Sequence, residues 1–572
     1  MAEEVLLSPG VIAIENDQSF ITQQPIQAGA AIVGPTVKGI VGIPTIVTSY
    51  SDYLNKFGST FTSASQTYTY FTSISAYSYF NNGGNTLLVT RVVSGSFTPA
   101  ISTTIPDSGS LNNVFVLETL SEGIIMNSTS SLNSDGTLPS GSAENFRWQI
   151  VAPNISTGTF SLLIRQGNDS TNSPSILETW GPLSLDPTSP NYIENIIGNQ
   201  SQTVANDNGE YYIQLTGNYS NKSSYVRVKQ VNKLTPGYLD NSGNPKPQYT
   251  ASIPIPSSGS FQSATGTNVP SGTGNYYENI DNTNTQGLKA SDYTESISLL
   301  ANKDEYRYNL ITVPGLINNF ASHTSAVNSL ISNCQNNGNS MAVVDLVKYG
   351  ENIIPVTAAA VALNTSYAAS YWPWVQTIDP DTAQQVWVPA STLIPGVYAF
   401  NDNSAEAWFA PAGINRGVMS NVIRAERYLT QGNRDTLYQA NVNPIATFPN
   451  SGVTVFGQKT LQKKASALDR VNVRRLLIEL KNYISQIADT LVFEQNTVAT
   501  RNNFLLQVNP YLASVQQRNG LYGFNVVMDE TNNTPTTIDN NQLVGAIYLQ
   551  PTKTVEFVYL TFNVTPTGVT FG

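Results

Sequence analysis

Apolar positions along the chain follow two spacings, and the switches between them mark its organisation. At the start, Val11, Ile12, Ala13 and Ile14 form a short apolar run after the turn signal Ser8-Pro9-Gly10, which predicts a brief strand within an arm over 1–20. Such a strand needs a sheet to join; it is either an edge strand of its own subunit or an addition to another molecule's sheet. Strand signals return around Gly and Pro in AAIVGPT (30–36) and IPTIVTSY (43–50). SYSDYLNKFG (49–58) predicts a helix, with Ser49 or Ser51 as its cap and Gly58 past its end. Tyr70, Ile74, Tyr77 and Phe80 recur at helical spacing, predicting a second helix that stops at Asn81-Asn82-Gly83-Gly84, before the strand TLLVTRVV (86–93).

Over 96–290 the pattern shifts to short β runs divided by Ser, Thr, Asn and Gly: NVFVLETL, FRWQIVAP, TFSLLIRQ, YYIQLTG and SYVRVKQV. This predicts an inserted β-sandwich or barrel, with 254–287 as a long exposed loop. NLITVPG (309–315), a helix and MAVVDLV (341–347) then give a βαβ pattern and predict a parallel sheet. From Asp469 to about Glu494, Val473, Leu476, Leu477, Leu480, Ile484, Ile487 and Leu491 make a helical stripe. A further helix over Arg501–Arg518 contains Pro510, which predicts a kink. Strands are predicted at 522–529, 543–551 and 555–564. In the last, Val555, Phe557 and Tyr559 face one way and Val558, Leu560 and Phe562 the other, predicting burial on both sides.

Composition narrows the function. The length suggests about three or four domains. Only 12% of residues are charged, and the net charge of -11 argues against general nucleic-acid binding. The acidic start lacks the basic residues of a signal peptide, and no apolar run is long enough to span a membrane, so the expectation is a soluble protein made in a cytoplasm. Cys334 is the only cysteine, so no disulfide forms within the chain. His323 is the only histidine. It stands eleven residues before Cys334 on roughly the same helical face, with no nucleophile motif beside either, so both read as structural. The sequence contains no phosphate-binding loop, no G-x-S-x-G and no H-E-x-x-H. DNTNTQG (281–287) and NDNGE (206–210) lack the spacing of a calcium loop and read as turns. No metal or other cofactor is expected.

Several segments are familiar in order. SPGV (8–11), GPTVKGIVGIPTIVTSYSDYLNKFG (34–58), YFNNGGNTLLVTRV (79–92), SYAASYWPWVQT (366–377), VWVPAS (386–391), GVYAFND (396–402), WFAPAG (408–413), LYQANVNPIATFPNSGVTVFGQKTL (437–461) and VNVRRLLIELKNYI (471–484) together resemble the contractile bacteriophage tail sheath family. The resemblance covers nearly the whole chain outside the middle insertion. It implies a mixed α+β, multidomain fold: an arm (1–20), an N-terminal part of the core (21–95), an inserted β-sandwich or barrel (96–290), a central α/β domain of subtilisin-like topology (291–455) and a C-terminal α/β domain (456–572). Hydrolysis on that topology would need Asp, His and Ser acting together, and only His323 is available, so an enzyme is not expected.

The resemblance also implies a role. A sheath subunit polymerises helically, as stacked hexameric rings, around a tail tube and contracts to drive the tube through the host envelope. The implied partners are further copies of the chain, the tail tube protein, and baseplate and tail terminator proteins, with no nucleic acid and no membrane insertion. The place implied is the virion tail, assembled in the host cytoplasm. A cellular contractile injection system is the alternative setting. Strand exchange between subunits falls on Val11, Ile12, Ala13 and Ile14 and on Val555, Phe557, Val558, Leu560 and Phe562. The family's C-terminal domain faces the tube, which makes Lys459, Lys463, Lys464, Arg470, Arg474, Arg475 and Lys481 a candidate tube-facing patch. The other reading of these cations is a solvated helix face with internal ion pairs.

Overall fold

The computed structural model describes residues 26–63, 66–109, 111–128, 142–170, 173–267, 279–449, 451–557 and 559. The first strands form where small and β-branched residues are sealed on both faces. Ala30–Gly34 (β1) and Leu87–Arg91 (β3) are buried at every position and pair in parallel; Thr45–Val47 (β2) adds antiparallel to β3. Between β2 and β3 lie Tyr50–Phe57 (α1) and Phe71–Asn81 (α2). Ser49 caps α1 by accepting the Asp52 amide, and Gly58 ends it at φ +76°, as the cap residues predict.

The insertion holds strands Pro99–Ser102 (β4), Phe115–Glu122 (β5), Phe146–Asn154 (β6), Thr159–Gln166 (β7) and Ile176–Ser184 (β8), the helix Ile193–Ile197 (α3), the hairpin Ser201–Asp207 (β9) and Glu210–Thr216 (β10), then Val226–Val231 (β11) and Ser257–Gln262 (β12). Seven of these form one antiparallel sheet, in the order β8-β7-β6-β12-β4-β5-β11. The sheet curls over its own core. Phe115 on β5 stacks on Phe160 on β7, with ring centroids 5.6 Å apart, although the strands are four places apart in the sheet. Helix α3 packs against both edge strands.

The predicted loop over 254–287 is corrected here, because β12 sits in the middle of this sheet. Its Ser/Gly sequence hides it: a Cβ on Gly259 would stand 2.2 Å from Thr103 Oγ1 and 2.5 Å from the Trp148 ring. The buried tryptophan therefore demands a glycine where a strand former would otherwise stand.

After the insertion the chain returns to the first sheet through Thr294–Leu299 (α4), Leu310–Ile317 (β13), Ala321–Asn337 (α5), Met341–Asp345 (β14), Ala368–Trp372 (β15), Ala390–Ser404 (α6), Gln431–Gln439 (α7), Asn443–Phe448 (β16) and Gly452–Val455 (β17). Among the described residues the sheet has eight strands in the order β17-β16-β15-β14-β13-β1-β3-β2, parallel throughout except at its two edges. Alternate residues serve opposite faces. Ile32, Val89, Val343 and Ile445 share one core with α2 and α6, and Ala31, Leu88, Ile311 and Val344 share the other with α5. The predicted βαβ unit is β13-α5-β14.

The last unit comprises Val471–Asp489 (α8), Val498–Gln517 (α9) and the antiparallel hairpin Leu521–Val527 (β18) and Ala546–Pro551 (β19). Its core joins Leu476, Leu480 and Ile487 to Phe504, Val508, Leu512 and Val515, so the predicted stripe does face inward. Helix α9 continues through Pro510.

The predicted last strand needs correction. Residues 552–557 form no strand, and Val555, Phe557 and Tyr559 are 81%, 69% and 90% exposed. Alternation alone cannot say which chain supplies the neighbouring strand, and among the described residues no strand pairs with 552–557. Val558, Leu560 and Phe562, like Val11–Ile14, lie outside the described residues.

Candidate assembly surfaces

The cations singled out above do not form one face. In the first turns of α8 nearly every side is buried, because the helix start is wedged between the central sheet and its own core. Arg474 is 3% exposed; it donates to Ser366 Oγ and lies 4.0 Å from the Tyr367 ring. Arg475 is also buried, pairs with Asp402 and lies 4.6 Å from the Tyr398 ring. Burial opposes its charge, but Asp402 overrides this and raises its pKa. Arg474 and Arg475 are therefore corrected from surface candidates to internal cations: spacings of three and four put them on one side with Val471 and Ile478. Lys459 is half-buried, donating to Tyr438 O at 2.7 Å over the Tyr438 ring. Lys463, Lys464 and Lys481 are exposed.

Arg470 is engaged by a carboxylate that sequence reasoning missed. Its Nε and Nη2 donate to Glu556 Oε1 and Oε2 at 2.6 and 3.0 Å. Tyr438 OH adds a bond to Oε2 at 2.8 Å, and Gln458 Nε2 one to Oε1 at 3.1 Å. Burial alone would raise the pKa of Glu556, but these donors outweigh it and hold the carboxyl below its usual range. Gln458 also donates to Thr554 Oγ1, and Thr552 donates through its N–H to Gly520 O at 3.2 Å. Even-numbered residues of the segment thus face their own subunit while Val555, Phe557 and Tyr559 face outward. No sequence signal links Glu556 to Arg470, 86 positions away.

The sheet edges differ in the same sense. At β2, Lys56 Nζ donates to Ile46 O at 2.9 Å. At β17, Met419 N–H donates to Val453 O and Val455 N–H to Gly417 O, so residues 417–419 seal that edge. Among the described residues, β18 and β19 pair only with each other, and Tyr522 and Tyr548 on them are 66% and 63% exposed. A sheet edge with no further strand on it is a template for another strand.

Groups of hydrolytic type are occupied otherwise. Asp345, at the end of β14, accepts from both the amide (3.1 Å) and the hydroxyl (2.5 Å) of Ser391, and burial pushes its pKa up to about 7. His323 Nδ1 accepts the Ile317 N–H at 3.0 Å, and burial holds its pKa down to about 4. Cys334 is buried and accepts from Ser340 Oγ. Asp281 bonds the Thr283 and Asn284 amides, and Asn206 bonds the Gly209 amide, so both calcium-like stretches are turns. Among the described residues no group of three His, Cys, Asp or Glu side chains could hold a metal ion, and no helix is long and apolar enough to cross a membrane.

With this geometry in place, comparison with known proteins gives a consistent answer. The phage tail sheath protein central domain matches residues 286–461, and the phage tail sheath C-terminal domain matches 463–565. A tail sheath protein of Vibrio phage KVP40 is 38% identical over 234 residues, covering 40% of this chain and 35% of the relative. That of Enterobacteria phage T4 is 39% identical over 185 residues, covering 32% and 28%. The chain thus spans about a third of the length of the curated relatives it matches. The fold is similar to the crystal structure of a sheath tail protein from Listeria innocua, with TM-score 0.51 and 12% identity over 92% of this chain and 95% of that one. On these matches, residues 286–461 and 463–565 carry the two adjoining domains of phage tail sheath proteins.

Proposed function

We propose that the protein is the structural subunit of a contractile tail sheath, which polymerises helically around a tail tube and shortens to drive it through the host envelope. The observation that carries this reading is a donor and an acceptor on one chain: a pinned segment with an outward apolar row at Val555, Phe557 and Tyr559, and an unpaired hairpin edge at β18–β19. Two different surfaces that fit each other make head-to-tail contacts, and such contacts grow into open helices. Val11–Ile14 supply the second exchanged strand. Backbone hydrogen bonds contribute about 0.5–1.5 kcal/mol net apiece, so a strand of several residues links subunits firmly while leaving its linker free to turn. Contraction is a change of lattice from a kinetic trap, driven by added intersubunit burial and not by nucleotide hydrolysis.

The finer architecture belongs to the same reading. The central domain takes a subtilisin-like topology without its chemistry, and the curled insertion is a sandwich or barrel displayed on the outer surface. Partners are further copies in stacked hexameric rings, the tube protein, which meets the exposed Lys463, Lys464 and Lys481, and baseplate and terminator proteins. The assembly belongs to the virion tail and forms in the host cytoplasm. Electron microscopy of the purified full chain, beside a variant lacking residues 1–20, tests this. Hollow helical tubes from the full chain, with monomers or short rings from the variant, are expected. Equal tubes from both would remove the arm from the assembly, and a monomer at every salt and protein concentration, with tube and baseplate present, would overturn the sheath reading.

A further inference from the structure

Thr554 and Glu556 point into their own subunit, while the three apolar neighbours point away from it. The turning point between these roles is a single carboxylate held by four donors from three separate segments: Tyr438 on α7, Gln458 after β17, and Arg470 before α8. A bidentate guanidinium–carboxylate pair with a phenol on the same carboxylate fixes direction as well as position. Arg470 is itself held by Asp469 at 2.9 Å, and its backbone bridges Lys459. The acceptor pocket is thus assembled from the seam between the central and C-terminal domains. Side chains at 555, 557 and 559 leave this anchor on one face of an extended segment, the arrangement an added strand requires.

We propose that Glu556 is the anchor at which this segment is handed from its own subunit to a second copy of the chain. Residues up to Glu556 stay with the parent, and the outward apolar row from Val555 onward is the surface presented to the neighbour. The neighbour's part is its β18–β19 edge, whose exposed Tyr522 and Tyr548 offer matching apolar contact. This rests on the exchange reading above and adds where the exchanged part begins and what aims it. A segment loose from β19 onward would sample many directions and lose ordering entropy on docking; the anchor removes most of that loss before the neighbour arrives.

The test uses the full chain and two readouts. Hydrogen–deuterium exchange on the unassembled subunit reads protection over 552–556, and sedimentation reads the critical concentration for tubes. Glu556→Ala should raise exchange across 552–556 and raise the critical concentration about tenfold, as expected for losing a charge-assisted anchor. Tyr438→Phe, which removes one donor and keeps the ring, should shift both in the same direction by less. Arg470→Met combined with Glu556→Ala should be no worse than the worse single variant, because both remove one contact. Unchanged protection in Glu556→Ala overturns the anchor whatever happens to assembly. Lost protection with an unchanged critical concentration overturns its role in the hand-over. A chain ending at residue 556 that forms tubes as readily as the full chain overturns the exchange reading itself, a result separate from both.

Discussion

The insertion and the C-terminal domain are both fastened to the central sheet, but by opposite chemistry. The insertion is held where water does not reach. Arg91 on β3 is fully buried and donates to the carbonyls of Gly39 and Glu122 at 2.6 and 2.9 Å, and Lys38 is 4% exposed and pairs with Glu144 at 2.7 Å. The β9–β10 hairpin folds back so that Val204, Tyr211 and Ile213 pack on the central core beside Ile46. The C-terminal domain is held in good part by apolar contact: Val471 and Ile478 of α8 enter the central core, and Trp408 leaves the central domain as an aromatic plug in the core of α8 and α9. Beside the plug an ion pair reaches the surface, Arg518–Glu406 at 2.8 Å. Dry charge at one seam resists any partial opening, because a buried charge that loses a partner is costly. An apolar plug flanked by a solvated pair draws little from that pair and most of its hold from burial.

The sharpest way to break the contrast is to pull the plug. Trp408→Ala should cost about 3–5 kcal/mol. It removes the indole from the core that holds Leu476, Val515 and Leu521, and its Nε1 bond to Arg518 O at 3.1 Å. Calorimetry should then show the C-terminal unit melting ahead of the rest; a single transition with unchanged midpoint would mean the plug carries no load. At the dry seam, Lys38→Met should cost about 2–3 kcal/mol, since Glu144 is left with little solvent and no cation. Adding Glu144→Gln should restore most of that loss, and chemical denaturation of the single and double variants measures it. A double variant as unstable as the single would place the cost in lost packing over Phe146, 5.5 Å from Lys38 Nζ.

These seams also show what a sequence can and cannot carry. Local rules were readable: Ser49 and Gly58 bounding α1, the β13-α5-β14 unit, the stripe from Val473 to Ile487, and the two strands that became β18 and β19. Each depends on neighbours within a few turns. Long-range compensation was not readable. Arg474 and Arg475 look like a basic surface until Ser366, Tyr367 and Asp402 are brought against them from about 70 to 110 positions away. Glu556 is an unremarkable acid in an apolar run until the fold delivers Arg470. The strand β12 was missed because a buried Trp148 dictates its glycine. The exposed row at 555, 557 and 559 misled in the other direction, since alternation reports that a sheet is wanted and not whose sheet it is.

The smallest effect sharpens the comparison from the wet side. Arg518 and Glu406 are 44% and 32% exposed at their side chains, so their pair is screened by solvent and contributes little net. The Arg518 guanidinium also lies 4.9 Å from the Trp408 ring, a contact that salt screens less because it sits against an apolar face. Glu406→Gln should therefore cost about 0.5 kcal/mol or less, and the loss should vanish in roughly 0.5 M salt. Arg518→Ala should cost about 1 kcal/mol, with half or more persisting at that salt, because it loses the ring contact as well. Thermal melts of the two variants at low and high salt separate the contributions. Equal, fully salt-sensitive losses would mean that the ring contact adds nothing and that the plug stands alone; a loss from Glu406→Gln as large as that from Lys38→Met would abolish the distinction between the two seams.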